Sequence, residues 1–299
     1  PDAEFPLVNV EKGQFRAELR KEFTEQGSGA VLLELEGGTT TNIVPGKAWA
    51  VVRGISQADL EAACTRVGAE TGVSFEIEKE EDTGFAIQET YRIMAEGKGA
   101  HASTPQEGRN AALAALKLVS ELPLSQCEQK EALEKLAELF PYGDHYGEAL
   151  GIRLSDEISS DTTVSLNILK VDQGSLYAKF DSRSCVSADM ENTVLPAKAK
   201  MEAAGFEVET AFNPPHVVDG DSDFVKTLLS CYEKVTGEPG RTTFMGGGTY
   251  VHDLKRGVAF GAVGEFTDTH MHGPDEFMII EELKTAAKIF ALSIADLCS

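Results

Sequence analysis

Several features that define whole classes of protein are missing from this sequence of 299 residues. Its five cysteines are scattered and no two have CxxC spacing, so the sequence predicts reduced thiols rather than a disulfide framework. No apolar run reaches the roughly 18 residues that a transmembrane helix needs, and no signal peptide opens the chain. Together these absences predict a cytoplasmic location.

Basic side chains are also scarce. There are 27 lysines and arginines against 49 aspartates and glutamates, which gives a net charge of −22. No basic run offsets this excess, so nucleic acid and anionic membrane surfaces would be repelled. We therefore expect neither nucleic acid nor a membrane as a partner. The acidic balance suits capture of divalent cations, although solubility alone explains it equally well.

The hydrophobic pattern predicts two similar α+β units in the first two thirds of the chain. Residues 30–96 follow the order strand, strand, helix, strand, strand. Helices are predicted near residues 106–122 and 128–140, with Pro105 in the first turn of the former. Residues 162–212 then repeat two strands, a helix and a strand. Two such ββαβ repeats predict a pair of ferredoxin-like units.

The composition changes after Asn213-Pro214-Pro215, which predicts a domain boundary. Beyond it, predicted helices at 223–236 and 281–297 flank a glycine-rich loop and a short apolar strand at 258–263. This alternation of strands and helices predicts an α/β layer with a parallel sheet. Loops at the strand ends of such sheets carry ligands, so the site is expected there.

The segment from Thr267 to Glu276 is the densest cluster of ligand-type side chains. His270 and His272 have the HxH spacing that can bind zinc, and the carboxylates that follow could orient the rings. The same spacing is common by chance, so a metal role and an ordinary loop both remain open. Asp2 is a further oxygen ligand candidate, or else a residue that caps a turn.

His101 lies where a strand-like segment gives way to an alanine-rich helix. Gly97 and Gly99 allow the backbone before it to approach a ligand closely, and small side chains after it leave room beside the ring. A ligand-contacting histidine and a surface-loop histidine both fit this pattern. The following histidines lack such a context and are interpreted as structural: His145, His216 and His252.

Two further segments are candidates for substrate contacts. Gly246 to Gly248 could cradle a phosphate, but no Lys-Ser/Thr pair follows as in a Walker loop, which favours a loop where substrate touches the backbone. Arg183 lies at a predicted strand end beside Asp181. It is either half of a structural ion pair or a guanidinium that holds a carboxylate through two parallel hydrogen bonds.

Taken jointly, five segments resemble one known family. They occur in the same order over essentially the whole chain: Pro1-Asp2-Ala3-Glu4-Phe5-Pro6, Gly38-Thr39-Thr40-Thr41-Asn42-Ile43-Val44-Pro45, Gly97-Lys98-Gly99-Ala100-His101-Ala102-Ser103-Thr104-Pro105, Gly246-Gly247-Gly248-Thr249-Tyr250 and His272-Gly273-Pro274-Asp275-Glu276. The set resembles the dizinc metallopeptidase superfamily of dipeptidases, carnosinases and aminoacylases, and most of all the bacterial cytosolic dipeptidases with a double-sized lid.

This resemblance implies a domain plan. Two ferredoxin-like lid units would be inserted in part of an α/β zinc-peptidase catalytic domain. Residues 1–11 would end the N-terminal part of that catalytic domain, residues 12–213 would form the double lid, and residues 214–299 would form the C-terminal part. The second lid half would occupy the space of a partner's lid, which implies a monomer.

The resemblance also implies roles for single residues. His272 would bind one zinc ion and Asp2 the other, with manganese and cobalt as alternatives. His101 would polarise the scissile carbonyl and stabilise its oxyanion. Arg183 would hold the C-terminal carboxylate of a small peptide substrate. Hydrogen bonds to that substrate would come from Asn42, Gly247, Gly248 and Thr249.

The sequence departs from the family pattern at one point. In these enzymes an HxD motif and a Glu-Glu pair precede the Asp-containing segment, and neither stands ahead of Asp2. The Glu-Glu pairs at 80–81 and 281–282 do not match by order. Because a catalytic zinc needs about three protein ligands, we expect a chain that is inactive alone and needs a missing N-terminal segment as its partner.

Two functions of different classes therefore remain. The first is the lid and C-terminal part of a dipeptidase that hydrolyses short peptides with a free C-terminus. The alternative is a non-catalytic module that has lost the metal centre. Such a module would bind a small carboxylate in the pocket of His101 and Arg183, or serve in assembly.

Overall fold

The structure is a computed structural model that describes residues 3–25, 27–80, 89–264, 267–269 and 275–299. The chain divides into two compact units. The terminal unit comprises Pro1–Gly13, Asp156–Ser160 and Pro214–Ser299, and the central unit comprises Gln14–Ser155 and Asp161–Asn213. Each unit is described by itself below.

The described residues form seventeen strands. In chain order they are β1 (Ala3–Glu4), β2 (Leu7–Glu11), β3 (Gly13–Glu22), β4 (Val31–Gly37), β5 (Ile43–Val44), β6 (Lys47–Arg53), β7 (Ser74–Lys79), β8 (Thr90–Glu96), β9 (Ala100–His101), β10 (Ser155–Asp156), β11 (Ser160–Asp161), β12 (Thr163–Val171), β13 (Ser175–Ser184), β14 (Glu207–Asn213), β15 (His216–Val217), β16 (Thr242–Met245) and β17 (Ala262–Val263).

Within the same residues the structure contains six α-helices. They are α1 (Gln57–Thr71), α2 (Ala111–Glu121), α3 (Glu128–Leu139), α4 (Leu195–Ala203), α5 (Asp223–Thr236) and α6 (Ile280–Cys298). The part of the chain that is described includes no helix with the length and apolar composition needed to cross a membrane. The mixed α/β class predicted from the sequence is confirmed.

An eight-stranded sheet forms the framework of the central unit, in the order β14-β3-β13-β12-β4-β6-β8-β7. The strand and helix order predicted for residues 30–96 is found as β4, β6, α1, β7 and β8, and that for residues 162–212 as β12, β13, α4 and β14. The two halves join edge to edge because β12 pairs with β4 in antiparallel fashion.

One strand of this sheet was not predicted. Residues 13–22 carry so many charges that they gave no strand prediction, yet they form β3. Phe15, Ala17 and Leu19 are buried, while the charged residues between them face the other side of the sheet. The alternation has the period of two that a half-buried strand requires, but charge masks it in a hydropathy profile.

Two predicted element boundaries were wrong. The helix predicted from residue 106 begins at Ala111, because the Asn110 side chain accepts a hydrogen bond from the Leu113 N–H and caps α2 there, and Pro105 belongs to a separate 3₁₀ turn. The strand predicted over residues 258–263 is reduced to β17. Gly261 interrupts it with a φ of 75°, which is outside the extended region.

Short sheets and two helices build the terminal unit. In it β2 is the middle strand of a three-stranded sheet, antiparallel to β15 and parallel to β16. β1 pairs in parallel with β17, with Ala3 opposite Ala262. Phe5 packs against the rings of Tyr232, Phe260 and Phe290, which links β1 to α5 and α6.

Gly38 provides a test of how tightly the end of β4 is packed. Its φ is 77°, and a Cβ there would clash with the carbonyl oxygen of Asn167. We expect Gly38→Ala to lower the free energy of unfolding by more than about 3 kcal/mol, because strain and overlap with backbone add up. The measurement is urea unfolding followed by circular dichroism.

Gly143→Ala is the matched control for Gly38→Ala. Gly143 also has a positive φ, of 92°, but nothing lies within 4 Å of a Cβ at this position. The backbone penalty alone should therefore cost about 1 kcal/mol. Equal losses in the two variants would contradict the close packing of Gly38 against β12.

Candidate functional site

Asn42 and His101, two of the predicted site residues, lie on hydrogen-bonded segments of the central unit. β5 and β9 pair in antiparallel fashion with Ile43 opposite His101. The Ala102 N–H donates to the Asn42 carbonyl oxygen at 2.9 Å. The structure thus brings these two predicted residues together, although they are separated by more than fifty positions in the sequence.

The hydrogen bonds of His101 select one tautomer of its ring. The Ser103 backbone N–H donates to Nδ1 at 3.2 Å, and the Ser103 Oγ lies 2.6 Å from the same nitrogen. Because a backbone N–H can only donate, Nδ1 must be an acceptor, and the neutral ring carries its proton on Nε2. His101 is therefore arranged to donate from Nε2, which is the atom an oxyanion-stabilising histidine would use.

Asn167 fixes the Asn42 segment to strand β12, and Asn110 fixes the start of α2 to the same strand. Asn167 Nδ2 donates to the Thr41 carbonyl oxygen at 2.5 Å, and the Ser165 hydroxyl lies 2.5 Å from Asn167 Oδ1. Asn110 Nδ2 donates to the Leu166 carbonyl oxygen at 2.8 Å. The bond from Asn167 holds the loop that carries Asn42 beside the first half of β12.

Arg183 lies near the end of β13, opposite Thr163 of β12. Its Nε donates to Asp181 Oδ2 at 2.5 Å, and the Nε of Arg16 donates to Asp181 Oδ1 at 2.6 Å. The Asp181 side chain is fully buried and that of Arg183 is 4% exposed. The Asp181 carboxylate thus lies between two guanidiniums, and a guanidinium can hold a carboxylate through parallel hydrogen bonds.

Because Arg183 and the Asn42 segment both lie beside β12, this strand sets the distance between them. Thr163, opposite Arg183, and Asn167, which binds that segment, are four residues apart on one strand, or about 13 Å. The buried hydroxyl of Thr163 has no hydrogen-bond partner, and cross-strand partners face the same side of a sheet. Arg183 and the Asn42 segment are thus both attached to the first half of β12.

Farther along the same face, Glu18 pairs with Lys179 at 2.9 Å. The hydrogen bond from Lys179 lowers the pKa of Glu18, and the neighbouring Arg20 acts in the same direction. The Glu18 carboxylate is thus kept ionised, and its negative charge is offset by the two neighbouring cations. On this face, therefore, Glu18 and Asp181 each lie between two cationic side chains.

The predicted glycine-rich segment lies in the terminal unit, directly after β16. Thr249 donates to Glu11 Oε1 through its backbone N–H at 3.1 Å and through its hydroxyl at 2.5 Å. The hydroxyl oxygen also accepts from the Val251 N–H at 3.3 Å. The Thr249 side chain is thus engaged within the protein, and the substrate roles of Gly247, Gly248 and Thr249 stay predictions.

Glu11 is the residue that sequence reasoning missed here. It ends β2 and is 1% exposed, and its Oε2 lies 2.7 Å from His252 Nδ1. A signal was present, because an acidic residue that directly follows the apolar run from Leu7 to Val10 is expected to need a buried partner. Its partners could not be found from spacing.

Both predicted metal ligands, Asp2 and His272, fall outside the described residues, as does His270. In the described ranges, no group of three or more His, Cys, Asp or Glu side chains could hold a metal ion. These ranges alone therefore do not fit a two-metal centre. The prediction of zinc stays a prediction that rests on Asp2 and His272, and no step below is routed through a metal.

Comparison with known proteins identifies the family. A family model described as Peptidase family M20/M25/M40 matches residues 19–296. The chain belongs to this peptidase family. The resemblance predicted from the sequence motifs is thereby confirmed.

Individual relatives cover the whole chain. A β-Ala-Xaa dipeptidase of Lactobacillus delbrueckii subsp. lactis is 33% identical over 99% of this chain and 62% of its own length. A putative dipeptidase of Staphylococcus epidermidis is 30% identical over 100% of this chain and 63% of its own length. The solved aminoacylhistidine dipeptidase of Vibrio alginolyticus aligns at 14% identity and a TM-score of 0.49, over 98% of this chain and 64% of that chain. The chain thus spans less than two thirds of the length of these relatives.

The contribution of Asp181, which pairs with Arg16 and Arg183, to the stability of the fold can be tested by substitution. Asp181→Ala leaves Arg183 buried without its counter-charge, so we expect the free energy of unfolding to fall by about 3–5 kcal/mol. Glu18→Ala is the control on the same sheet face, where a partly exposed pair should contribute at most about 1 kcal/mol. Chemical unfolding checks both variants, and similar losses would contradict a buried, compensated carboxylate at position 181.

Proposed function

We propose that the protein containing this chain hydrolyses dipeptides, or other short peptides with a free C-terminus, in a metal-dependent reaction. Membership of the M20 peptidase family supports hydrolysis of peptide bonds, and the identity with two dipeptidases supports short substrates. The metal part of the proposal rests on Asp2 and His272, with zinc as the ion and manganese or cobalt as alternatives.

The observation that supports these roles is that the paired segments of Asn42 and His101 are tied to Asn167 of β12, while Arg183 lies opposite Thr163 of the same strand. In the proposal, Arg183 binds the substrate's C-terminal carboxylate, and Asp181 orients its guanidinium. His101 donates from Nε2 to the scissile carbonyl oxygen, where negative charge develops. Asn42 contributes a further hydrogen bond, as do Gly247 and Gly248 of the glycine-rich loop, which Thr249 anchors to Glu11.

The same proposal assigns roles to the two units. The halves of the central unit's sheet are the two ferredoxin-like lid units, within residues 12–213. The terminal unit supplies residues 1–11 and 214–299 of the catalytic domain. All five cysteines are free thiols, which supports a cytoplasmic location. We further propose that the protein acts as a monomer.

A partner polypeptide is part of the proposal, and α6 indicates where it binds. One side of α6 is packed, with Ala286, Ile289 and Ser293 buried. A neighbouring side carries an apolar stripe at alternating intervals of three and four residues, Ile280, Leu283, Ala287, Phe290, Ile294 and Leu297, in which Phe290 also packs against Phe5 and Phe260. Ile280 and Ile294 are 68% and 64% exposed. This spacing is typical of a helix packed against another helix.

We propose that the stripe binds the polypeptide that corresponds to the remaining length of the relatives. Such a segment would also bring the HxD motif and the Glu-Glu pair that the family pattern requires. In this assignment, one polypeptide covers the exposed apolar stripe of α6. The same polypeptide supplies the motifs that complete the catalytic site.

Arg183 gives the test of the proposed activity in the protein encoded by the complete reading frame. Arg183→Met should raise KM for a dipeptide about 100-fold, because a charge-assisted bidentate contact to the carboxylate is lost. The difference in KM between a dipeptide and its C-terminal amide should shrink in this variant. Arg183→Lys keeps the charge and the fold while losing the fork geometry, so its KM should be intermediate.

Arg153→Met is the control for these variants, since Arg153 is a half-exposed residue of the central unit whose guanidinium stacks on Tyr146. Its KM should be unchanged. A wild-type protein that hydrolyses no dipeptide but still binds a small carboxylate through Arg183 would overturn the enzymatic proposal in favour of a binding module.

The partner surface has its own test. The chain and the polypeptide for the remaining length are produced as separate chains and tested for co-purification. Ile294→Glu places a charge in the apolar stripe and should abolish the association, whereas Ala295→Glu adds the same charge at an adjacent exposed position and should not. Equal binding by both variants would exclude the stripe as the contact surface.

A further inference from the structure

A buried carboxylate in the terminal unit is used by neither of these proposals. Glu11 is 1% exposed and accepts three hydrogen bonds, two from Thr249 and one from His252. All three donors belong to the segment that follows β16, more than 230 residues away in sequence. Because an unpaired carboxylate at such depth is costly, Glu11 and this segment depend on each other.

The ring of His252 lies between two hydrogen-bond partners. Its Nε2 lies 2.8 Å from the Pro214 carbonyl oxygen, which can only accept, so Nε2 carries a proton. Its Nδ1 faces Oε2 of Glu11 at 2.7 Å. Since Oε1 of Glu11 already accepts two hydrogen bonds, the contact with Nδ1 of His252 completes the partners of this side chain. The His252 ring is thus held on both sides.

The neighbourhood of this pair is rigid and already paired. Glu11 lies on the middle strand of its sheet, opposite His216 on one side and Met245 on the other. The His216 ring lies 5.7 Å from that of His252, and its Nε2 donates to the Gly257 carbonyl oxygen at 2.7 Å. The glycine-rich segment therefore starts from a fixed strand end next to Glu11.

Gly246-Gly247-Gly248 would otherwise be a costly segment to hold in one conformation. Three consecutive glycines have more backbone freedom to lose than any other tripeptide. The bonds from Glu11 fix the residue directly after them, Thr249, while β16 fixes the residue directly before them, Met245. The glycines are thus restrained from both ends without side chains of their own.

We propose that Glu11 and His252 are positioning residues that latch the segment Gly246–His252 in its substrate-binding conformation. The inference rests on the proposed function, in which this segment contacts the substrate. The Thr249 hydroxyl proton is committed to Glu11. The segment's substrate contacts therefore come from the backbone N–H groups of Gly247 and Gly248, which recognise an oxygen acceptor such as a carbonyl or carboxylate.

Two substitutions at Glu11 distinguish the effect of its hydrogen bonds to the segment Gly246–His252 from the effect of its negative charge. In Glu11→Gln, the amide oxygen can accept both bonds from Thr249, and the amide NH₂ can donate to Nδ1 of a neutral His252 whose Nε2 still donates to Pro214. Every hydrogen bond is retained and only the negative charge disappears. Glu11→Ala removes all three bonds.

We expect Glu11→Ala to raise KM for a dipeptide about 100-fold, with a smaller change in kcat, because the substrate-binding segment is misplaced. Glu11→Gln should remain within a few-fold of the wild type. Glu233→Ala is the control, since Glu233 holds a different loop through the Gly240 N–H at 2.9 Å and should leave KM unchanged. If Glu11→Ala fails to fold, Thr249→Val removes one bond and should raise KM about tenfold.

Amide hydrogen exchange of residues 246–252 provides a readout that needs no activity. It should accelerate in Glu11→Ala and stay near wild type in Glu11→Gln. Unchanged exchange in Glu11→Ala would overturn the latch whatever the kinetics show. Faster exchange with an unchanged KM would overturn its role in substrate binding. A wild-type protein without hydrolysis would refute the proposed function alone, because exchange still decides the latch.

Discussion

The central unit depends on satisfying the backbone of β12 beyond the end of β4. Only the last three residues of β12 pair with β4, so the first half of the strand extends past its neighbour on that side. An unpaired strand edge inside a folded unit is costly. The amides of Asn110 and Asn167 meet this requirement, one by donating to the strand's Leu166 carbonyl and the other by binding the Thr41 carbonyl of the adjacent loop. The loop that carries Asn42 therefore lies beside β12 for a structural reason.

Both units use a buried carboxylate to hold mobile or flexible groups in place. Asp181 binds two guanidiniums in the central unit, and Glu11 binds a hydroxyl, a backbone N–H and the His252 ring in the terminal unit. Buried charge is a poor source of net stability, but breaking such a pair is strongly destabilising. These carboxylates thus contribute little to the free energy of folding. Their main effect is to hold their partners in one arrangement. That property suits residues that position ligand-binding groups.

The sequence was most informative where one local rule dominates. Periodicity and capping predicted α1, α5 and the strand order of both halves of the sheet, because those elements bury one regular face. It was least informative for β3, where charge masks alternation, and for α2, where a single capping side chain moves the start. The pairing of Glu11 with His252 spans 241 positions. No spacing rule reaches that far, so contacts of this kind follow only from the fold.

The strongly negative net charge places a constraint on any site for a peptide carboxylate. With a net charge of −22, the protein as a whole repels anions. At physiological ionic strength that field decays over about 8 Å, whereas a charge pair shielded from solvent is screened much less. A buried guanidinium such as that of Arg183 therefore acts at short range, and Asp181 holds it in place. In the proposed reaction, selectivity for a free C-terminus thus arises from a direct contact with Arg183, against the sign of the protein as a whole.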